Sequence, residues 1–253
     1  MTDADGTGAN GANGVAAVTP HQQQWLDSHP HAAGLPAWLR RSAGESRLPV
    51  IVAIGLVIAL QLAVPANFAL RPKWVLAAIE GVLLAALIAA NPVRLTRDHP
   101  ALRLGSLGLT AVVTFTNAAS AVLLVHNLVY VHGAADNAAS LLGGGASIYL
   151  TNIIAFGLWY WEFDRGGPIP RAHGKRAHPD FLFPQMASPE IADSEWEPNL
   201  VDYLYVSITN ATAFSPTDTL PLSRWAKVLM AAQSMVALTT VGLVIARAVN
   251  VLG

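Results

Sequence analysis

The chain has no cysteine among its 253 residues. Disulfides, thiolate metal sites and a cysteine nucleophile are therefore excluded. Charge is scarce as well: Asp, Glu, Lys and Arg make up 12% of the chain, against roughly a quarter in soluble domains. The formal net charge is −1, so no basic excess points to a nucleic-acid partner. Catalytic signatures are missing too. There is no Gly-rich phosphate loop, no paired-His zinc motif and no Gly-x-Ser-x-Gly elbow. Ser207 or Ser215 near Asp218 has no histidine close in sequence to serve as its base. The expectation is a protein that is not an enzyme and holds no cofactor.

Hydrophobic residues are abundant, at 53% of the chain. They gather in five stretches, 49–66, 74–90, 106–131, 147–163 and 225–249. Each is long enough to cross a bilayer core of about 30 Å, which takes roughly 17–25 helical residues. All five must be helices, because lipid offers no partner to open backbone groups. Asn91-Pro92 stops the second stretch, and a Gly-rich approach at 143–145 precedes the fourth. Trp74, Tyr130, Trp159, Trp161 and Trp225 fall near span ends, where amphipathic rings favour the interface. The expected fold is all-α: an integral membrane bundle of five transmembrane helices plus one short re-entrant or interfacial helix before the last span. The expected organisation is a disordered tail over 1–47, a four-span bundle over 48–163, a polar loop over 164–199 and a last unit over 200–253.

Orientation follows from Lys and Arg. Twelve of the fifteen basic residues collect on one side: in the tail, in the 91–105 connection, after the fourth span and at the start of the fifth. Arg71, Lys73 and Arg247 lie on the other. This bias predicts a plasma (inner) membrane protein with a cytoplasmic N-terminus and a cytoplasmic 164–223 segment. The tail is Gly/Ala/Asn-rich and lacks the basic start and early apolar core of a signal peptide. His21, His29 and His31 in the tail, and His173, His178 and Asp180 in the loop, lack the helical spacing that would align metal ligands. No metal site is expected. The basic half of the loop, 164–180, reads either as a headgroup-binding segment or as a solvated loop that fixes topology.

The segment 199–214, "NLVDYLYVSITNATAF", has helical periodicity but is too short to cross. Leu200, Leu204, Ile208 and Ala211 share one face, with Val201 and Tyr205 beside it. Pro216 ends the segment, and Ser223 stands where it would cap the last span. Span, loop, short helix, polar turn with an acid, span: that order over 204–249 resembles the pore module of two-span cation channels. Tyr205, Ser207, Thr209 and Thr212 look like the aromatic-Ser-x-Thr pore helix. Asp218 looks like the acid that closes the filter, and Arg224 and Lys227 like the start of the inner helix. Bacterial multi-pass membrane proteins of unknown function carry a similar degenerate version. The likeness implies pore-turn residues Thr209, Thr212, Ser215, Thr217 and Asp218, and a homo-oligomer, a tetramer if it forms a pore. It departs at the filter, where Phe214-Ser215-Pro216-Thr217 has no glycine. Carbonyls ringing a potassium ion need that freedom, so potassium selectivity is not expected. The channel family also enters its pore from outside, whereas the charge count puts this segment inside.

Inside the spans, Glu80 is the one carboxylate far from a span end. Such an acid marks either a proton or cation site or a neutral carboxyl bonded to a neighbouring helix. Asn117 and Asn152, each after a threonine, read as interhelical glue. Thr-Asn recurs at 116–117, 151–152 and 209–210, which reads either as one shared polar layer or, more simply, as chance recurrence in a Thr- and Ala-rich chain. Glu162 and Asp164 are expected to reach out to the interface from the end of the fourth span. Three functions stand from the sequence: an ion-conducting pore module without potassium selectivity, a non-conducting structural or partner-binding membrane protein, and a small proton- or cation-coupled transporter using Glu80.

Overall fold

A computed structural model describes residues 23–24, 27, 34–95, 99–130, 138–212 and 218–252. The fold is an all-α bundle. Five apolar helices run along it: α1 (Leu48–Ala63), α2 (Lys73–Ala90), α3 (Pro100–Tyr130), α4 (Ala138–Phe163) and, last in the chain, α8 (Arg224–Leu252). Between α4 and α8 come α5 (Pro168–Ala172), α6 (Pro184–Ala187) and α7 (Leu200–Thr212). Two-residue strands β1 (Phe181–Leu182) and β2 (Leu220–Pro221) pair antiparallel.

Four of the helices, α2, α3, α4 and α8, are long and apolar enough to cross a membrane. Helix α1 is shorter at 16 residues, yet it matches α2 end to end. At its start, Arg47 Nη1 donates to Leu87 O and Asn91 O at the end of α2. At its finish, Lys73 Nζ at the start of α2 donates to Leu62 O and Val64 O.

Helix α4 is the axis, packed on by α1, α3, α7 and α8. It is the most buried of the long helices, so its neighbours, not lipid, surround it. Close approach explains Gly145 and Gly157. The 143–145 run lies inside the helix, not ahead of it, because a Cβ at Gly145 would stand 2.7 Å from Val244 Cγ2 of α8. A Cβ at Gly157 would stand 2.7 Å from Leu204 Cδ2 of α7. Helix α3 begins six residues earlier than the apolar pattern, at Pro100, whose fixed φ suits a first turn. That extension carries Arg103 to the end of α4.

Residues 34–47, the end of the expected tail, and the expected 164–199 loop are folded, while the rest of the tail, apart from residues 23–24 and 27, lies outside the described residues. Ala37, Trp38 and Leu39 are buried, and a backbone bridge ties Ser46 to Arg94. Phe181 and Phe183 are buried among aromatic rings that include Tyr160, Tyr203 and Trp225. Apolar residues spaced through a polar stretch thus plug one end of the bundle. The helix ends sort the described basic residues as the charge count does, with Arg71 and Lys73 opposite Arg47, Arg103 and Arg171.

Candidate functional site

The short helix α7 forms as its periodicity predicts, over 13 residues and about 20 Å. Its buried face differs from the expected one. Leu200, Tyr203, Val206, Ser207 and Ala211 point inward, while Val201, Tyr205 and Ile208 are exposed. The rotation follows from what α7 meets: its neighbours on α4 and α8 offer hydrogen bonds, and buried polar groups must be paired. Gln233 of α8 is the hub. Its Nε2 donates to Ser207 O (3.0 Å) and Ser207 Oγ (2.6 Å). Its Oε1 accepts from Tyr160 OH (2.5 Å) and Asn210 Nδ2 (2.8 Å). Ser207 Oγ donates to Ile153 O of α4, and Ser234 Oγ donates to Asn210 O and Oδ1. Every side-chain polar atom of Ser207, Asn210 and Gln233 has a partner.

These contacts fix the path of the chain. Helix α7 starts at the plugged end, where Tyr203 OH donates to Asp164 Oδ2 (2.5 Å). Leu204 packs on Gly157, Ser207 bonds Ile153, and Ala211 packs with Ile153 and Ala237. Ile153 is ten residues before the end of α4, about 15 Å along it. By Leu220 the chain is back at the plugged end, paired with Leu182. Ser223 then caps α8, its Oγ accepting from Ala226 N (3.4 Å). The short helix therefore enters the bundle from one end, stops partway, and the chain returns to the same end.

Of the pore-turn candidates, Ser215 and Thr217 lie outside the described residues. Thr209 and Thr212 spend their hydroxyls on their own helix, donating to Tyr205 O and Thr209 O. Asp218 is exposed, two residues before β2.

The expected intramembrane acid, Glu80, is fully buried. Thr116 Oγ1 donates to its Oε1 at 3.4 Å, and Oε2 has no hydrogen-bond partner among the described residues. Gln61 of α1 lies beside it with neither amide atom in hydrogen-bond geometry. Asn117 and Asn152 are buried, and Asn152 Oδ1 and Thr151 Oγ1 also lack partners. The shared Thr-Asn layer is corrected in one respect. Asn210 joins Gln233, Met230 and Tyr160, not the other two asparagines, because α7 packs on a different side of α4.

The largest correction is at the plugged end. Glu162 and Asp164 do not reach out to an interface; both are buried. Arg103 Nη1 donates to Glu162 Oε2 (2.8 Å), and Ser106 Oγ donates to Glu162 Oε1. Arg171 Nη2 donates to Glu45 Oε1 (2.7 Å), and its Nη1 to Trp161 O and Asp164 O. Trp161, expected in an interfacial belt, is buried and donates from Nε1 to Glu45 Oε2 (2.6 Å). Asp180 accepts from Arg165 N and Trp225 Nε1, which commits both its oxygens. Arg165 holds a left-handed φ of 51°, fixed by that bond and by its own guanidinium donating to Trp38 O. Tyr203 is pushed well above its ordinary pKa, first by burial, so its hydroxyl remains a donor to Asp164. The charged cluster Glu162-x-Asp164-Arg165 at a span end was the one sequence signal for this network.

No family model, no curated protein and no solved structure matches the chain.

Proposed function

We propose that this is a five-span membrane protein whose α7–turn–α8 unit is a re-entrant pore module that passes ions without potassium selectivity. One observation carries the reading: α7 enters from one end, stops partway and the chain comes back out of the same end. In pore modules a half-helix does this so that its carbonyl end aims partial negative charge at a cation. Here the C-terminus of α7 lies beside Ile153 and Ala237, deep in the bundle. Asp218 sits near the returned end, as a mouth acid would. A pore needs further copies, and α8 turns Val228, Met235 and Leu238 outward as an apolar face for one. The glycine-free turn removes the ring of carbonyls that selects potassium.

The test is ion flux from liposomes holding the purified protein. Monovalent cation flux with little preference among ions is expected, and Asp218→Asn should cut it severalfold. Flux indifferent to Asp218, or none, sinks the reading. A second reading, coupled transport through Glu80, is favoured by the unpartnered Oε2 of that buried acid. Flux lost in Glu80→Gln but kept in Asp218→Asn would select it. Silence in both, with a stable complex on purification, would select a structural or partner-binding role.

Orientation is open to direct mapping in this cysteine-free chain. Single cysteines at Asn10, Asp136, Glu190 and Leu252 would be probed with an impermeant thiol reagent on intact cells. The positive-inside bias predicts labelling at Asp136 and Leu252 only, which inverts the module relative to the channels.

A further inference from the structure

A cavity of about 230 Å³ lies at the plugged end, and Arg103, Ser106, Trp161 and Glu162 of the ion network form part of its wall. It is walled by the start of α1, the end of α2, the start of α3, the end of α4 and α5. Its lining has two characters. Leu87, Leu102 and Ile169 make an apolar wall, and Arg47, Arg103, Ser106 and the carboxylate of Glu162 make a polar one.

Arg47 is the anomaly. It is only 4% exposed, yet no carboxylate of the described residues forms an ion pair with it. Its Nη1 rests on Leu87 O and Asn91 O, and its Nε has no partner among the described residues. Glu162 attracts it without touching it, and burying a guanidinium with no carboxylate in contact is costly, so an arrangement that keeps one has something to offset it. Arg103, on the same cavity, shares its charge with Glu162. Two guanidiniums against one carboxylate leave the polar wall net positive. His99 stands exposed at the rim, and the whole lies level with the starts of α1 and α3, where a bilayer's headgroups would be.

We propose that this cavity binds a phosphate group, with Arg47 as its main cationic contact and the apolar wall facing the hydrocarbon attached to it. Arginine suits this task, since its planar donor fork matches phosphate oxygens. The phosphate could belong to an anionic lipid headgroup or to a free phosphate, and the chemistry of recognition is shared.

The experiment uses the full chain in a neutral detergent. Its melting temperature and native mass spectrum are recorded with short-chain phosphatidic acid, with the matching diacylglycerol, and with inorganic phosphate. Phosphatidic acid should raise the melting temperature and bind one to one, while diacylglycerol should do neither. Arg47→Gln should weaken binding by about 10-fold or more, the loss of a charged hydrogen-bond donor. Should that variant fail to fold, Ile169→Trp keeps Arg47 and fills the cavity instead, and it should weaken binding equally. Inorganic phosphate matching the lipid would assign the site to a soluble phosphate; a much weaker effect would assign it to lipid. No binding by either phosphate, or binding unchanged in the folded variants, overturns the proposal.

Discussion

Two buried polar regions flank α4, and they are built to opposite rules. Around Gln233, five side chains from three helices, with the Ile153 carbonyl, leave no polar atom of Ser207, Asn210 or Gln233 unpaired. Around Glu80, polar atoms of Glu80 and Gln61 have no partner among the described residues, and neither do Thr151 Oγ1 and Asn152 Oδ1 on α4. A satisfied network rigidifies, because each member loses its bonds if any other moves. An unsatisfied one is poor glue and leaves room for a proton, a water or an ion. The contrast assigns the Gln233 cluster to holding α7 in place, and leaves Glu80 free of that task.

The comparison would be broken first at the plugged end, where α7 starts and Tyr203 bonds Asp164. Arg171→Met removes the ion-pair partner of half-buried Glu45, leaving it Trp161 Nε1, and strands the Trp161 and Asp164 carbonyls. Losing one member of a buried pair costs about 3–5 kcal/mol, read as a fall in melting temperature in detergent. Gln233→Leu comes next. It fills similar space but leaves Tyr160, Asn210 and Ser207 short of partners, for a loss of about 2–3 kcal/mol by the same measurement. If that variant is as stable as the parent, the lock on α7 is not Gln233. Gly157→Ala sets a Cβ 3.2 Å from the Leu204 backbone, which a rotamer change cannot relieve. It should cost about 1–3 kcal/mol and displace α7, visible as faster proteolysis between α7 and α8.

Hydropathy made the spans legible because lipid selects residues one at a time. The short helix was legible from its period and from Pro216. Which way it faces was not. Ser207 and Asn210 turn inward only because Gln233, more than twenty residues later, waits for them. The end network was hidden for the same reason. Glu45 and Arg171 are 126 residues apart, and nothing local to either marks the pair. Arg47 read as one more topology charge, and only its burial set it apart. Glu80 was legible because a single acid in an apolar run needs no partner to stand out, although its unpartnered oxygen became visible only once the neighbouring helices were in place.

The smallest expected effect is the most informative. Glu80→Gln keeps the shape of the side chain and an acceptor for Thr116, and it removes only the ability to carry a proton or a charge. In a satisfied network such a swap strands a neighbour. Here the second oxygen accepts no hydrogen bond that the swap would break, so stability should shift by less than about 1 kcal/mol. A drop as large as that of Gln233→Leu would mean that Glu80 is glue after all and that the two regions follow one rule. A near-zero change in melting temperature, measured beside a change in flux, would separate the two: α7 held by bonds that must all be made, and an acid kept in the bundle interior for the bond it leaves open.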